Sequence, residues 1–134
     1  MTLFARTKVG AAFLIALAAT TSGAAAQECA TSDSVRAITA CYNKLLDQAN
    51  ADMQVKYQEA EGPVKRLSQL DQALTKSQED WVAYRNETCD NLVRLYWLEG
   101  QLETVNVINC KLALTRERTS DLENMLHALF DAKH

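Results

Sequence analysis

Apolar residues recur every three or four positions through three long stretches of the chain. The first stretch contains Val35, Ile38, Tyr42, Leu45, Ala49 and Met53. The second contains Leu67, Leu70, Leu74, Trp81, Tyr84, Thr88, Leu92 and Leu95. The third contains Ile108, Leu112, Thr115, Thr119, Leu122, Leu126 and Leu129. This spacing is typical of amphipathic helices with one buried stripe, and no stretch alternates long enough to indicate a strand.

Glycine and proline stand between these stretches, where helices are expected to end. Gly62-Pro63 separates the first stretch from the second, and Gly100 separates the second from the third. Ser32 or Asp33 is suited to cap the first helix, because a short polar side chain can accept a hydrogen bond from the first turn. The pattern therefore predicts an all-α fold, which is either an antiparallel helical hairpin or a three-helix arrangement.

The first 26 residues have the pattern of a cleavable signal peptide. Arg6 and Lys8 precede an apolar run at residues 9–19, and small residues follow up to Ala24-Ala25-Ala26. Cleavage after Ala26 leaves a domain of residues 27–134. The apolar run is much shorter than the roughly 20 residues of a membrane-spanning helix. We therefore expect a periplasmic or secreted protein with no stable membrane insertion after cleavage.

Removal of the signal makes the chain more acidic. Arg6 and Lys8 are lost, which leaves 12 basic and 17 acidic residues and a net charge of −5. This charge argues against nucleic acid and anionic membranes as partners, and it permits a basic protein partner.

All four cysteines lie in the predicted mature domain, where an even number indicates two disulfides. Cys89 and Cys110 are placed symmetrically about the Glu99-Gly100 turn, so two helices that fold back there bring them level. Pairing Cys41 with Cys89 across the Gly62 turn leaves a mismatch of about 9 Å at 1.5 Å per residue. Disulfides tolerate about 7 Å between Cα atoms. The predicted bridges are therefore Cys29–Cys41 and Cys89–Cys110.

One helical stretch carries the most specific pattern, W-x-x-Y-R-x-x-x-C. Its residues Trp81, Tyr84, Arg85, Thr88 and Cys89 fall within a stripe about 140° wide on a helix. This favours an aromatic anchor packed against a neighbouring helix. Arg85 is then expected at the edge of the stripe, with its guanidinium bonded to a carboxylate or a helix-end carbonyl.

A second pattern follows Cys110, namely Thr115-Arg116-Glu117-Arg118 and then Leu122. Together the two patterns resemble the LprI-type lysozyme inhibitor family, and the resemblance extends over roughly residues 29–126. It implies structural roles for the residues of the two motifs, which are Trp81, Tyr84, Arg85, Arg116, Arg118 and Leu122. It also implies a non-enzymatic binding protein that occludes a lysozyme or another cell-wall hydrolase. The alternative is a structural or stress-related envelope module without lysozyme inhibition.

The sequence offers little support for catalysis, cofactors or metals. Its carboxylates are spread over helix faces, and nothing in the sequence fixes two of them at the distance that a glycosidase needs between its catalytic carboxyl groups. Four paired cysteines leave no thiol nucleophile. His127 and His134 near the C-terminus make a weak metal site on their own. We therefore predict no enzyme activity, no cofactor and no metal site.

A surface for binding a protein partner is predicted beside the Glu99-Gly100 turn. If Leu95 faces the core, Trp97 is rotated by about 200° and lies exposed. An exposed aromatic side chain beside carboxylates is typical of a binding hot spot for a basic partner. The candidate contact residues are Tyr96, Trp97, Glu99 and Glu103.

Overall fold

Three long helices make up most of the described chain in the computed structural model, which describes residues 29, 31, 33–98 and 100–130. The elements are α1 (Val35–Val64), α2 (Ser68–Asn86), a π-helix (Glu87–Val93), the short α3 (Arg94–Tyr96) and α4 (Glu103–Phe130). These described residues contain no strand. The all-α prediction is therefore confirmed. The predicted signal peptide and its cleavage site after Ala26 lie outside the described residues.

Helix α1 begins and ends slightly later than the sequence predicts. Its N-cap is Ser34 rather than Ser32 or Asp33, because the Ser34 hydroxyl accepts a 3.2 Å hydrogen bond from the Ala37 amide. At the other end the helix continues through Pro63 to Val64, which is buried. Proline removes only one hydrogen bond there, and the Lys65 amide still closes the last turn onto Glu61 at 3.0 Å.

The three long helices form an up-down-up bundle. Lys56 in α1 lies 3.8 Å from Glu123 in α4, between Nζ and Oε1. Arg85, near the end of α2, reaches Asn50 and Thr115, whereas the earlier Gln78 reaches Met53 and Arg118. Moving back along α2 thus means moving forward along the other two helices. Helices α1 and α4 are parallel, and α2 is antiparallel to both.

The apolar core lies between the far halves of α1 and α4 and the first half of α2. Its buried members are Met53, Ala60, Val64, Leu74 and Leu122. Tyr57, Trp81, Met125 and Leu126 pack against this cluster while remaining partly exposed. Burial of the core supplies the main favourable term for the bundle, at about 25 cal/mol per Å² of apolar surface removed from water.

Both predicted disulfides are present. Cys29 is bonded to Cys41 with 5.5 Å between the Cα atoms, and Cys89 is bonded to Cys110 with 5.6 Å. Both spacings are usual for disulfides. The second bridge joins the π-helix to α4, so it closes the hairpin formed by the end of α2, the turn and the start of α4. Within the described residues, no helix is long and apolar enough to cross a membrane.

The predicted inward stripe of the second stretch is wrong at both ends. Leu67 and Leu70 at its start, and Leu92 and Leu95 at its end, are exposed. The cause at the far end is the π-helix, whose i→i+5 hydrogen bonds hold more residues per turn than an α-helix. Residues that follow it are therefore rotated away from the face that a constant helical period predicts.

Candidate functional site

Arg85 joins all three long helices through side-chain hydrogen bonds. Its Nη1 donates to Asn50 Oδ1 in α1 at 3.1 Å and to Thr115 Oγ1 in α4 at 3.2 Å. Its Nη2 donates to Asn86 Oδ1 at 3.4 Å. The expected carboxylate or helix-end carbonyl partner is therefore wrong. Neutral side-chain oxygens take that place, because α1 and α4 bring Asn50 and Thr115 to the head of the arginine.

Arg118 approaches the same region from α4. Its Nε donates to Gln78 Oε1 at 3.0 Å, and its Nη2 donates to Ser77 Oγ at 3.0 Å. The Trp81 ring lies close to both arginines, with 5.0 Å from its centroid to the Arg85 guanidinium carbon and 6.0 Å to that of Arg118. An indole face attracts a cation, and the attraction is stronger where water is partly excluded.

Neither of these arginines forms an ion pair with a described residue. Burial lowers the pKa of the Arg85 guanidinium from its ordinary value, and it does the same to Arg118. Arginine nevertheless keeps its charge at every physiological pH. The Trp81 ring and neutral side-chain oxygens therefore stabilise both cations at close range, while Asp90 raises the pKa of Arg85 and Asp121 raises that of Arg118 from beyond ion-pair distance. This arrangement supports a structural role for the motif residues.

We expect Arg85→Lys to lower the free energy of unfolding by about 1 to 3 kcal/mol. A lysine ammonium has no planar fork, so it cannot reach Asn50 and Thr115 while lying flat on Trp81. Urea denaturation followed by circular dichroism measures the change. Arg36→Lys, at an exposed position of α1, is the matched control and should have little effect. Equal stability of the two variants would contradict the structural role of Arg85.

The remaining motif residues occupy three different environments. Leu122 is buried in the core, which agrees with the structural role expected for it. Arg116 lines an open groove between α1 and α4. Tyr84 is 57% exposed, so it does not belong to the inward stripe. At 100° per residue it lies about 60° from Trp81, on the side away from Arg85. The structure thus brings Trp81, Arg85 and Arg118 together but leaves Tyr84 and Arg116 outside their cluster.

The predicted partner-binding residues lie at the turn of the hairpin. Tyr96 is 81% exposed and Trp97 is 47% exposed, which confirms the predicted exposure of Trp97. Their rings meet edge to face with 5.5 Å between the centroids. We define the hairpin tip as residues 92–102. Its other large exposed apolar side chains are Leu92, Leu95, Leu98 and Leu102. Several large exposed apolar side chains so close together in the sequence are typical of an interaction site.

Charges beside the tip are largely paired within the chain. Glu103 Oε1 lies 3.5 Å from Arg94 Nε, and Asp90 accepts from Lys111 Nζ at 2.8 Å. Arg94 also approaches Asp90, at 3.9 Å. Glu103 is therefore not the free carboxylate that the sequence suggested, since α3 and the start of α4 bring Arg94 against it. Glu99, the other predicted acidic contact, lies outside the described residues.

Sequence reasoning missed the polar partners of the motif arginines. Asn50, Ser77 and Gln78 are 35 to 41 residues away in sequence from the side chains that they bond. The available signal was weak: Asn50 and Gln78 are polar residues beside inward positions of apolar stripes. In the described part of the chain, no three histidine, cysteine, aspartate or glutamate side chains converge to hold a metal ion, and no cysteine is free.

The family model described as "Lysozyme inhibitor LprI" matches residues 25–122. The chain belongs to the LprI lysozyme inhibitor family. The match spans all four cysteines and both arginine motifs, and it ends at the buried Leu122. No curated protein and no solved structure matched the chain.

For this member of the LprI family, the arrangement supports a structural role for the bridged cysteines and for the Trp81, Arg85 and Arg118 cluster. Arg85 and Arg118 each donate to side chains of neighbouring helices. A partner is therefore best sought on the exposed surfaces, of which the hairpin tip has the largest apolar side chains. Disulfides and family membership together indicate an extracytoplasmic protein.

Proposed function

We propose that this exported protein inhibits a lysozyme or a related cell-wall hydrolase without catalysis, by occluding the enzyme with its hairpin tip. Membership of the LprI family supports inhibition as the activity. The exposed Tyr96 and Trp97 rings, together with the four exposed leucines of the tip, are the observation that carries the choice of surface. We infer a periplasmic or secreted location, where such a hydrolase meets the cell wall.

The tip is held in place before any partner arrives. The Cys89–Cys110 bridge fixes its base between the π-helix and α4. Within the turn, the Gly100 amide donates to the Trp97 carbonyl at 3.0 Å. A Cβ added at Gly100 would lie 3.1 Å from that carbonyl oxygen, so a side chain there would crowd the turn. A surface ordered in advance loses less conformational entropy on binding.

Apolar contact is the proposed source of affinity at the tip. Large aromatic side chains dominate the energetics of many protein interfaces, and Trp97 with Tyr96 offers such an anchor. Because Arg94 already neutralises Glu103, electrostatic steering by that carboxylate contributes little. The net charge of −5 expected for the mature chain still favours encounter with a basic enzyme at low salt.

We expect Trp97→Ala to weaken lysozyme inhibition by about 30-fold, the effect of losing a binding hot spot worth about 2 kcal/mol. The loss should arise mainly from faster dissociation. Purified mature protein is titrated into cell-wall lysis assays with several types of lysozyme, and binding rates are measured by surface plasmon resonance. Tyr84→Ala is the matched control, because Tyr84 is also an exposed aromatic residue but lies on α2, outside the tip.

Two outcomes would contradict parts of this proposal. If Trp97→Ala inhibits as well as the parent and the Tyr84→Ala control do, the binding surface is not the hairpin tip. If the parent leaves every lysozyme active at stoichiometric excess, the inhibitor function is wrong. The alternative of an envelope module with another target then stands. Glu103→Gln should change the association rate only slightly, because Glu103 is paired with Arg94.

A further inference from the structure

A second surface of the molecule is a groove between α1 and α4, remote in sequence from the hairpin tip. Its volume is about 280 Å³. The lining residues are Leu45, Gln48, Ala49, Asp52, Arg116, Thr119 and Ser120. Ala49 is only 5% exposed and lies deepest, so the small side chain there creates the space between the parallel helices. A groove of this volume suits a ligand smaller than the usual drug-sized occupant of a protein pocket.

The hydroxyl donors of the groove are already engaged. Thr119 Oγ1 donates to the Thr115 carbonyl at 3.0 Å, and Ser120 Oγ donates to the Arg116 carbonyl at 3.3 Å. Their lone pairs remain available to accept hydrogen bonds. On the opposite wall, Gln48 Nε2 donates to Asp52 Oδ1 at 2.9 Å. This bond orients the Asp52 carboxylate, which keeps its second oxygen free to accept.

Arg116 is the charged donor of the groove that has no partner. Among the described residues, its side chain makes no hydrogen bond and no ion pair. It differs in this respect from Arg85 and Arg118, whose guanidiniums are bonded to neighbouring helices. Nor is it paired with Asp52 across the groove. The α4 wall therefore offers an open cation with hydroxyl acceptors beside it, and the α1 wall offers a carboxylate with one oxygen free to accept.

From this arrangement we propose that the groove between α1 and α4 binds a small zwitterion of amino-acid or dipeptide size. The carboxylate of the ligand pairs with the Arg116 guanidinium, a geometry in which arginine can donate two parallel hydrogen bonds. The ammonium group of the ligand donates to the free oxygen of the Asp52 carboxylate. Arg116 and Asp52 carry opposite charges, so a ligand with no net charge matches the groove better than a simple anion or cation.

The test uses the full mature protein, labelled with ¹⁵N for amide NMR, and simple zwitterions as probes. Glycine, diglycine and triglycine carry both charges at increasing separation. N-acetylglycine retains only the carboxylate, and glycinamide retains only the ammonium group. We expect saturable shifts at residues 45–52 and 116–120 with at least one zwitterion. Each single-charge analogue should bind about tenfold more weakly, since it loses one charge-assisted interaction.

Substitutions distinguish binding in this groove from nonspecific binding to the protein surface. Arg116→Gln and Asp52→Asn should each weaken the best zwitterion by about tenfold. Arg36→Gln, an exposed arginine elsewhere on α1, should leave binding unchanged. Because Arg116 has no side-chain partner among the described residues, its replacement should also leave the melting temperature unchanged, so lost binding cannot be ascribed to unfolding. The assay contains no lysozyme, and its result is independent of the function proposed for the tip.

Three results would overturn the proposal. The first is the absence of saturable shifts in the groove with all three zwitterions. The second is binding of N-acetylglycine as tight as that of the zwitterions, which indicates an anion site only. The third is unchanged binding in both Arg116→Gln and Asp52→Asn, which places the ligand elsewhere.

Discussion

Replacing Trp81 with alanine is expected to lower the free energy of unfolding by about 3 kcal/mol, the lower end of the range for removing a buried tryptophan. Trp81 packs against the core while part of its ring stays exposed, which is why the lower end applies. Its loss also removes the ring beneath the guanidiniums of Arg85 and Arg118. Small domains have about 5 to 15 kcal/mol in total, so the effect is large.

Chemical denaturation of the mature protein, followed by circular dichroism, measures this prediction. Trp97→Ala provides a matched control, because it removes the same side chain from the exposed hairpin tip. We expect the control to change stability by less than about 1 kcal/mol. Equal effects of the two substitutions would show that Trp81 does not anchor α2 to its neighbours.

The double change Cys89→Ala and Cys110→Ala is expected to lower stability by a similar amount, about 3 kcal/mol. The estimate follows from the entropy of closing a loop between cysteines whose sequence separation is 21. Helical circular dichroism should persist, because α1, α2 and α4 still bury their apolar stripes against one another. Replacing both cysteines avoids a free thiol that would form mixed disulfides.

Hydrogen exchange distinguishes this bridge from the other one. Without Cys89–Cys110, amides of residues 87–102 should exchange faster, because the base of the hairpin tip is no longer tied to α4. Replacing Cys29 and Cys41 with alanine should leave the amides of the tip protected from exchange, since that bridge joins the N-terminal segment to α1. If exchange at the tip is the same in both double variants, the Cys89–Cys110 bridge does not hold the tip.

The sequence alone predicted the parts of this fold that depend on local residue preferences and on distances along the chain. Helical periodicity gave the three long helices, because each needs one apolar face to bury against the others. The disulfide pairing also followed from the sequence, because Cys89 and Cys110 are equally far from the Gly100 turn. In the third stretch, every inward position from Ile108 to Leu122 is buried or partly buried, since α4 keeps a constant helical period throughout.

Prediction from sequence was less successful wherever the period changed or a partner came from another helix. The π-helix turned Leu92 and Leu95 outward, and no local residue pattern marked it beforehand. The same rotation enlarged the apolar hairpin tip beyond the two aromatic residues that the sequence identified. A constant period also placed Tyr84 inside, although the buried face of α2 is centred between Trp81 and Arg85.

Side-chain pairing across the bundle was decided by tertiary structure. Arg85 is bonded to Asn50 and Thr115, and Glu103 is paired with Arg94, because helix packing brings these distant groups within hydrogen-bonding reach. Arg116 lines an open groove, and only the parallel placement of α1 and α4 creates that groove. Sequence therefore determined the helices, their order and their covalent bridges, since these depend on local propensity and chain length. Which polar groups are satisfied internally, and which are left for a ligand or partner, depends on how the finished helices meet.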